Sequence, residues 1–274
     1  MVLIWTEAFG CGPVARSAIE SFLVHHNQEL TVYGYLEDFE HLPRHRRVRY
    51  VHPGNGELSN LSETALRKAF KFGHHGLGLL WSHVLKGTTS STAIHFDSDL
   101  IFIGNAVDDV QHEIEDGAVL AGRRRMYRYA RSEPAFQSMP DTVDTLCFGI
   151  DTRMITRQRR TTIQRRIEGI DFGSRIKRRV YIDFFDGMSQ WLIDRGDVSY
   201  LDSRQSGLHG FTDNESSFGR KLLQFGSAIA TGYALVHGTG IHVPEPYRSD
   251  AIRKPHKISQ YATQTQGDEA TPRH

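Results

Sequence analysis

The segment Thr92-Ala-Ile-His-Phe-Asp97-Ser-Asp99-Leu-Ile-Phe-Ile103 carries two carboxylates two residues apart inside an apolar run. In a continuous strand alternate residues project from one face, so Asp97 and Asp99 would point together. Paired carboxylates on a buried face repel each other and lose hydration unless a cation or donor network neutralises them. A hard divalent ion with open positions, bridging to phosphate oxygens, meets that need. Mn2+ or Mg2+ suits such oxygen-rich ligation, with one imidazole at most. The plainer alternative is a turn between two short strands, its acids solvated and idle.

Other reactive groups stand at the ends of expected elements. Thr6 and Glu7 close a first strand, where open α/β sheets bind ligands. Glu37 and Asp38 close a second. Lys71, His74 and His75 precede a helix expected from Gly76, and helix N-termini attract anions such as phosphate. The alternative there is a glycine turn with exposed histidines. Tyr181-Ile-Asp183-Phe-Phe-Asp186-Gly187 puts two carboxylates beside a helix start, as a general base or, for Asp186, as an N-cap.

The elements that must hold these groups alternate. An apolar strand at residues 2–5 precedes a break at Gly10-Cys-Gly-Pro13 and helical spacing over 14–25 through Val14, Ala18, Phe22 and His25. Strands follow at 30–36 and 47–51, then helices at 62–72 and 76–85, then the strand at 93–96. This β-α-β-α-β order predicts an α/β protein with a mostly parallel sheet covered by helices. Later come strands at 117–121, 145–150 and 198–201, helices at 154–169 and 187–193, and an apolar stretch at 226–236 of either kind. The polar residues 257–274 read as a disordered tail.

With 274 residues, 39% hydrophobic and 24% charged, the chain has the make-up of a water-soluble globular protein. No apolar run approaches the roughly 20 residues of a membrane span, and the opening residues lack the basic start of a secretory signal. Cys11 and Cys147 make no disulfide framework, so a reducing, cytoplasmic compartment is expected. The net charge of +1 hides a basic run, Arg123-Arg-Arg-Met-Tyr-Arg128-Tyr129-Ala-Arg131, and further arginines between 153 and 179. Arginine interleaved with tyrosine suits a polyanionic partner; it is also what a solvated face looks like.

The order of elements resembles the GT-A fold of nucleotide-sugar glycosyltransferases, most closely the retaining glycogenin-like and lipopolysaccharide galactosyltransferase-like group. The likeness covers roughly residues 2–240 and is specific in four places. These are Leu3-Ile-Trp-Thr-Glu7 with Tyr33-Gly-Tyr-Leu-Glu37; Phe96-Asp-Ser-Asp-Leu-Ile-Phe102; Thr145-Leu-Cys-Phe-Gly-Ile-Asp151; and Val236-His-Gly-Thr-Gly240 followed by Pro244. The departures are the asparagine expected around Cys147 and the Lys-Pro-Trp expected after His237.

The resemblance implies a Rossmann-like central sheet flanked by helices, with a smaller acceptor-side subregion. It implies a nucleotide-sugar half over residues 1–115 and an acceptor and catalytic half over 116–256. It further implies an enzyme, a hexosyl- or pentosyltransferase, that uses Mn2+ or Mg2+ and a nucleoside-diphosphate sugar, a UDP-sugar by expectation. Asp97, Asp99 and His237 would be the metal ligands, with His209 and His242 competing for the third place. Thr6, Glu7, Glu37, Lys71, His74, His75 and Asp97 would bind the donor, and Glu37 and Asp38 could accept hydrogen bonds from ribose or uracil. Asp186 and Asp183 would serve the transfer, and Arg123, Arg124, Arg125 and Arg128 a polyanionic acceptor, a modified DNA base or a phosphorylated glycan. Two other classes remain open. A nucleotidyltransferase would need a glycine-rich loop with arginine, where this chain has Phe9-Gly-Cys-Gly-Pro-Val-Ala-Arg16. A non-catalytic nucleic-acid-binding module would need only the arginines.

Overall fold

A computed structural model describes residues 2–70, 75–127, 142–156, 186–206, 218 and 221–224. In chain order its elements are β1 (Val2–Glu7), α1 (Gly12–His25), β2 (Leu30–Tyr33), α2 (Leu36–Phe39), β3 (Val48–Val51), a 3-10 turn (Gly56–Leu58), α3 (Glu63–Phe70) and α4 (His75–Gly87). Then follow β4 (Thr92–Phe96), β5 (Leu100–Phe102), α5 (Ala106–Glu115), β6 (Leu120–Tyr127), β7 (Thr142–Asp151), α6 (Thr152–Thr156), α7 (Asp186–Ile193), β8 (Val198–Ser206) and β9 (Leu222–Gln224).

Seven strands form one sheet in the order β3-β2-β1-β4-β7-β6-β8. The β1–β2, β1–β4, β2–β3 and β6–β8 pairs are parallel; β7 runs antiparallel to both β4 and β6. The first strands are apolar at nearly every position because helices cover both faces. One apolar layer joins Leu3, Trp5, Tyr33, Leu80, Trp81, Phe148 and Trp191 beneath α3, α4 and α7. The other joins Ile4, Ile19, Phe22, Phe96, Phe102 and Val110 beneath α1 and α5.

The strand expected at 93–96 is β4, which stops at Phe96, and the two acids lie in a turn between two short strands; β5 pairs antiparallel with β9 in a separate two-stranded sheet. Two expectations need correction. The second strand ends at Tyr33, because Asp38 folds back to accept the Tyr35 amide and starts α2. The strand expected at 117–121 continues to Tyr127, so Arg123, Arg124 and Arg125 lie within β6; all three pair with β8, and Arg124 and Arg125 also pair with β7. The helix expected at 154–169 lies outside the described residues beyond 156, as do the stretch at 226–236 and the tail at 257–274.

Candidate active site

The parallel strands β1, β2 and β4 end along one edge of the sheet, and the acids lie there. Asp97, Ser98 and Asp99 form the turn between β4 and β5, closed by the Leu100 amide donating to the Asp97 carbonyl at 3.3 Å. The Asp97 amide donates to the Leu146 carbonyl of β7 at 2.9 Å, which pins the turn to the sheet. Asp97 is half-buried, and Asp99 is buried at 8% exposure. The pair is therefore placed by a turn and not by strand alternation. Asp-Ser-Asp suits that turn, since short polar side chains bond readily to nearby backbone.

The loop from β1 to α1 faces this turn. Cys11 caps α1, and its thiol lies 3.5 Å from Ser98 Oγ. Burial first, and then the fields of Asp38, Glu7 and Asp99, push that thiol up to about 12, against the Ser98 hydrogen bond. Four acidic or nucleophilic groups thus converge with Cys11 at the carboxyl ends of β1 and β2 and the acidic turn. On the far side, Cys147 of β7 feels Asp97 and Arg123, and burial pushes its thiol upward. Both thiols are inert as nucleophiles in such surroundings.

Asp38 shapes the loop instead of waiting for a ligand. Its carboxylate accepts the amides of Gly10 at 3.0 Å, Tyr35 at 3.2 Å and Gly12 at 3.4 Å. Burial raises its pKa, and those three amides offset part of the rise. Gly10 has φ +71°, and a Cβ on Gly12 would stand 2.7 Å from the Asp38 carbonyl, so both glycines are required. Both carboxylate oxygens of this expected ribose or uracil partner thus accept backbone amides.

Glu7 and Thr6 are held within the core. Glu7 is buried, accepting the Trp81 indole N–H at 2.9 Å on Oε1 and meeting His95 Nε2 at 2.6 Å on Oε2. His95 Nδ1 lies 3.3 Å from the Thr145 carbonyl, which only accepts, so Nδ1 carries the hydrogen. At 2.6 Å a hydrogen bond joins Nε2 to Oε2. The chain Trp81–Glu7–His95–Thr145 ties α4, β1, β4 and β7 together beneath the acidic turn. Thr6 is fully buried, its hydroxyl enclosed without a hydrogen-bond partner. Sequence reading missed His95 and Trp81, although a histidine inside an apolar strand is itself a demand for a buried partner.

Around the rim, Glu37 is exposed and paired with Arg67, which also holds Glu63 at 2.6 Å. The Arg67 guanidinium lies 3.6 Å above the Tyr35 ring, and Phe9 packs between Tyr35 at 4.7 Å and Phe70 at 5.4 Å. Arg123 is buried at 6% exposure, while Arg124 faces the Tyr200 ring at 5.3 Å. Within the basic run, Arg123 is thus withdrawn from the surface. Asp186 is the first residue of α7, and Ser189 one turn on accepts the Val143 amide at 3.1 Å. That bond anchors the start of α7 near the end of the sheet where Asp97 sits. His75 is the first residue of α4. Lys71, His74, Arg128, Asp183, His209, His237 and His242 lie outside the described residues.

For a divalent cation the acidic turn offers hard oxygen donors of the right kind. Among the described residues no group of three or more His, Cys, Asp or Glu side chains is arranged to hold a metal. Two carboxylates leave most of the coordination sphere to further ligands, so the turn fits a metal shared with a phosphate-bearing substrate. Among the described residues no helix is long and apolar enough to cross a membrane.

No protein-family profile matches the sequence, and no curated protein matches it. Solved structures do. The galactosyltransferase LgtC, in complex with donor and acceptor sugar analogues, is similar over 100% of this chain and 98% of its own, with 11% identity and a TM-score of 0.50. Mouse xyloside xylosyltransferase 1 in its apo form is similar over 73% of this chain and 84% of its own, with 14% identity and a TM-score of 0.47. The apo bifunctional glycosyltransferase WbbM matches 73% of this chain and 38% of its own, with 10% identity and a TM-score of 0.44. Identities this low speak to architecture alone. The seven-stranded, mostly parallel sheet flanked by helices is a GT-A fold, the architecture shared with LgtC.

Proposed function

We propose that this chain is a metal-dependent glycosyltransferase that moves a sugar from a nucleoside-diphosphate sugar, UDP-linked by preference, to an acceptor hydroxyl. The acidic turn carries this reading: Asp97 and Asp99 are held between two strands at the ligand-binding edge of a GT-A sheet. Mn2+ or Mg2+ bound there would offset the charge that develops on the departing diphosphate. Asp97 and Asp99 would hold that ion, with His237 as the third protein ligand.

The remaining assignments follow from position. Lys71, His74 and His75, at the entry to α4, would face the phosphates. Glu37 and the Arg67–Tyr35 pair stand at the rim beyond β2, where the nucleoside would lie. Asp186, at the start of α7, and Asp183 before it would act on the acceptor hydroxyl or stabilise the developing sugar cation. The acceptor we favour is a modified DNA base, with a phosphorylated glycan as its rival; the Arg124–Tyr200 pair can neutralise phosphate and stack on a base. A nucleotidyltransferase reading is disfavoured, because Arg16 sits within α1 and pairs with Glu20 at 2.7 Å instead of arming the loop.

The test is donor turnover with a panel of UDP-sugars, with and without Mn2+. Release of UDP should need the metal, and Asp97→Asn or Asp99→Asn should each lower it by roughly 100-fold or more. Equal turnover in parent and variants, or none with any donor, contradicts the reading. For the acceptor, label transferred to hydroxymethylated duplex DNA supports the base; transfer to free or phosphorylated sugars alone removes it.

A further inference from the structure

Four aromatic rings close around the two strands that flank the acidic turn, and one of the four can take a proton. Phe96 ends β4 immediately before Asp97, and Phe102 ends β5 three residues after Asp99. Their rings meet edge to face at 4.9 Å between centres. Phe22 of α1 stacks on Phe96 at 5.5 Å and meets Phe102 at 5.8 Å. His26, the C-cap of α1, completes the cluster, 4.9 Å from Phe22 and 4.8 Å from Phe102. The backbone follows the rings: the Phe102 amide donates to Ser21 Oγ of α1 at 3.0 Å.

Only 2% of the surface of His26 is exposed, and neither ring nitrogen has a hydrogen-bond partner. A phenylalanine would make the same ring contacts without stranding two polar atoms. What histidine adds is a place for a proton. Asp108 of α5 favours that proton; His25 of α1, Arg47 ahead of β3 and Lys221 ahead of β9 oppose it. The Arg47 guanidinium is fixed there, donating to the carbonyls of His26 and, at 2.6 Å, of Leu23.

We propose that His26 is a positioning residue that makes this ring clamp acid-sensitive, so that proton uptake separates β5 from α1 and loosens the turn at 97–99. The ring cannot stay between Phe22 and Phe102 as an unpaired cation beside Arg47. Burial, ahead of these charges, holds its pKa down to about 4 from an ordinary 6.5. The closed state therefore prefers the neutral ring and the opened state binds the proton more tightly. The contribution of this ring to closure is complete above pH 6.5 and is lost progressively as pH falls towards 4. At pH 5 the closed-to-open ratio is roughly 20-fold lower than at pH 7 on this account.

The inference stands apart from the transfer reading, because its readouts are stability and amide protection. Thermal unfolding midpoints would be followed from pH 8 to pH 4.5 in the parent and in His26→Phe. The parent should lose stability from about pH 6.5 downward, and His26→Phe should lose much less over the same range. The same acid dependence in both proteins overturns the proposal. Should His26→Phe fail to fold, the parent alone decides by NMR. Titration of the His26 ring together with loss of Phe102 amide protection supports the clamp, and titration with protection unchanged overturns it.

Discussion

Glu7 is where residue-level chemistry separates a frame from a contact. An acid closing the first strand of an open sheet looks like a ligand group, yet its two oxygens serve Trp81 and His95. Removing it strands both donors inside the core, each at a cost of about 1–3 kcal/mol. Glu7→Ala should therefore lower unfolding stability by roughly 2–5 kcal/mol. Glutamine can replace both functions, its carbonyl accepting from Trp81 and its amide donating to a neutral His95 Nε2. Glu7→Gln should stay within about 1 kcal/mol of the parent in denaturant titrations. An alanine variant as stable as the glutamine one would show that the network contributes nothing. The sequence displayed Glu7 and His95 but not their meeting, since they lie 88 residues apart. Only the parallel register that sets Trp5 beside His95 brings them together.

At the scale of elements, the loop between β1 and α1 is the most tightly determined part of the site. Asp38 gathers three amides there, and the Asp38 carbonyl leaves no room for a side chain at position 12. Gly12→Ala should cost about 1–3 kcal/mol through backbone displacement. It should also weaken nucleotide binding more than Gly78→Ala, where a Cβ meets nothing within 4 Å. Equal effects of the two substitutions on binding would remove the loop from the site. The glycine break at 10–13 was plain from composition, as were α1, β4 and the helix beginning at Asp186. The end of β2 was not, because Leu36 looks like a strand residue until Asp38 turns the chain. The end of β4 at Phe96 was legible, but the passage of the chain into a second sheet was not. Leu100, Ile101 and Phe102 are as apolar as Ala93, Ile94 and Phe96, and periodicity does not report that a chain has moved to another sheet.

For the molecule as a whole, the alternation of strands and helices was sufficient to name an α/β fold with a mostly parallel sheet, and the resemblance narrowed it to GT-A. Hydrophobic pattern specifies layers well because burial has a period. It does not specify which charges will share a site, and the basic run illustrates the difference. Read along the chain it is one patch; folded into β6 it becomes a buried Arg123 and an Arg124 over Tyr200. The acids at 97 and 99 lie in the turn that the sequence offered as the alternative to a continuous strand. Backbone hydrogen bonds fix that turn, pinned at Leu146 and closed at Leu100.

A direct test of that arrangement is thermal unfolding with UDP and Mn2+ added singly and together. Binding to the folded chain at about 100 times the dissociation constant adds close to 2.7 kcal/mol, or about 5 °C for a chain of this size. The midpoint of the parent should rise by that amount only when both are present, and that of Asp97→Asn with Asp99→Asn should not move. A rise with UDP that ignores the metal, or that persists in the double variant, would contradict a cation held by the acidic turn.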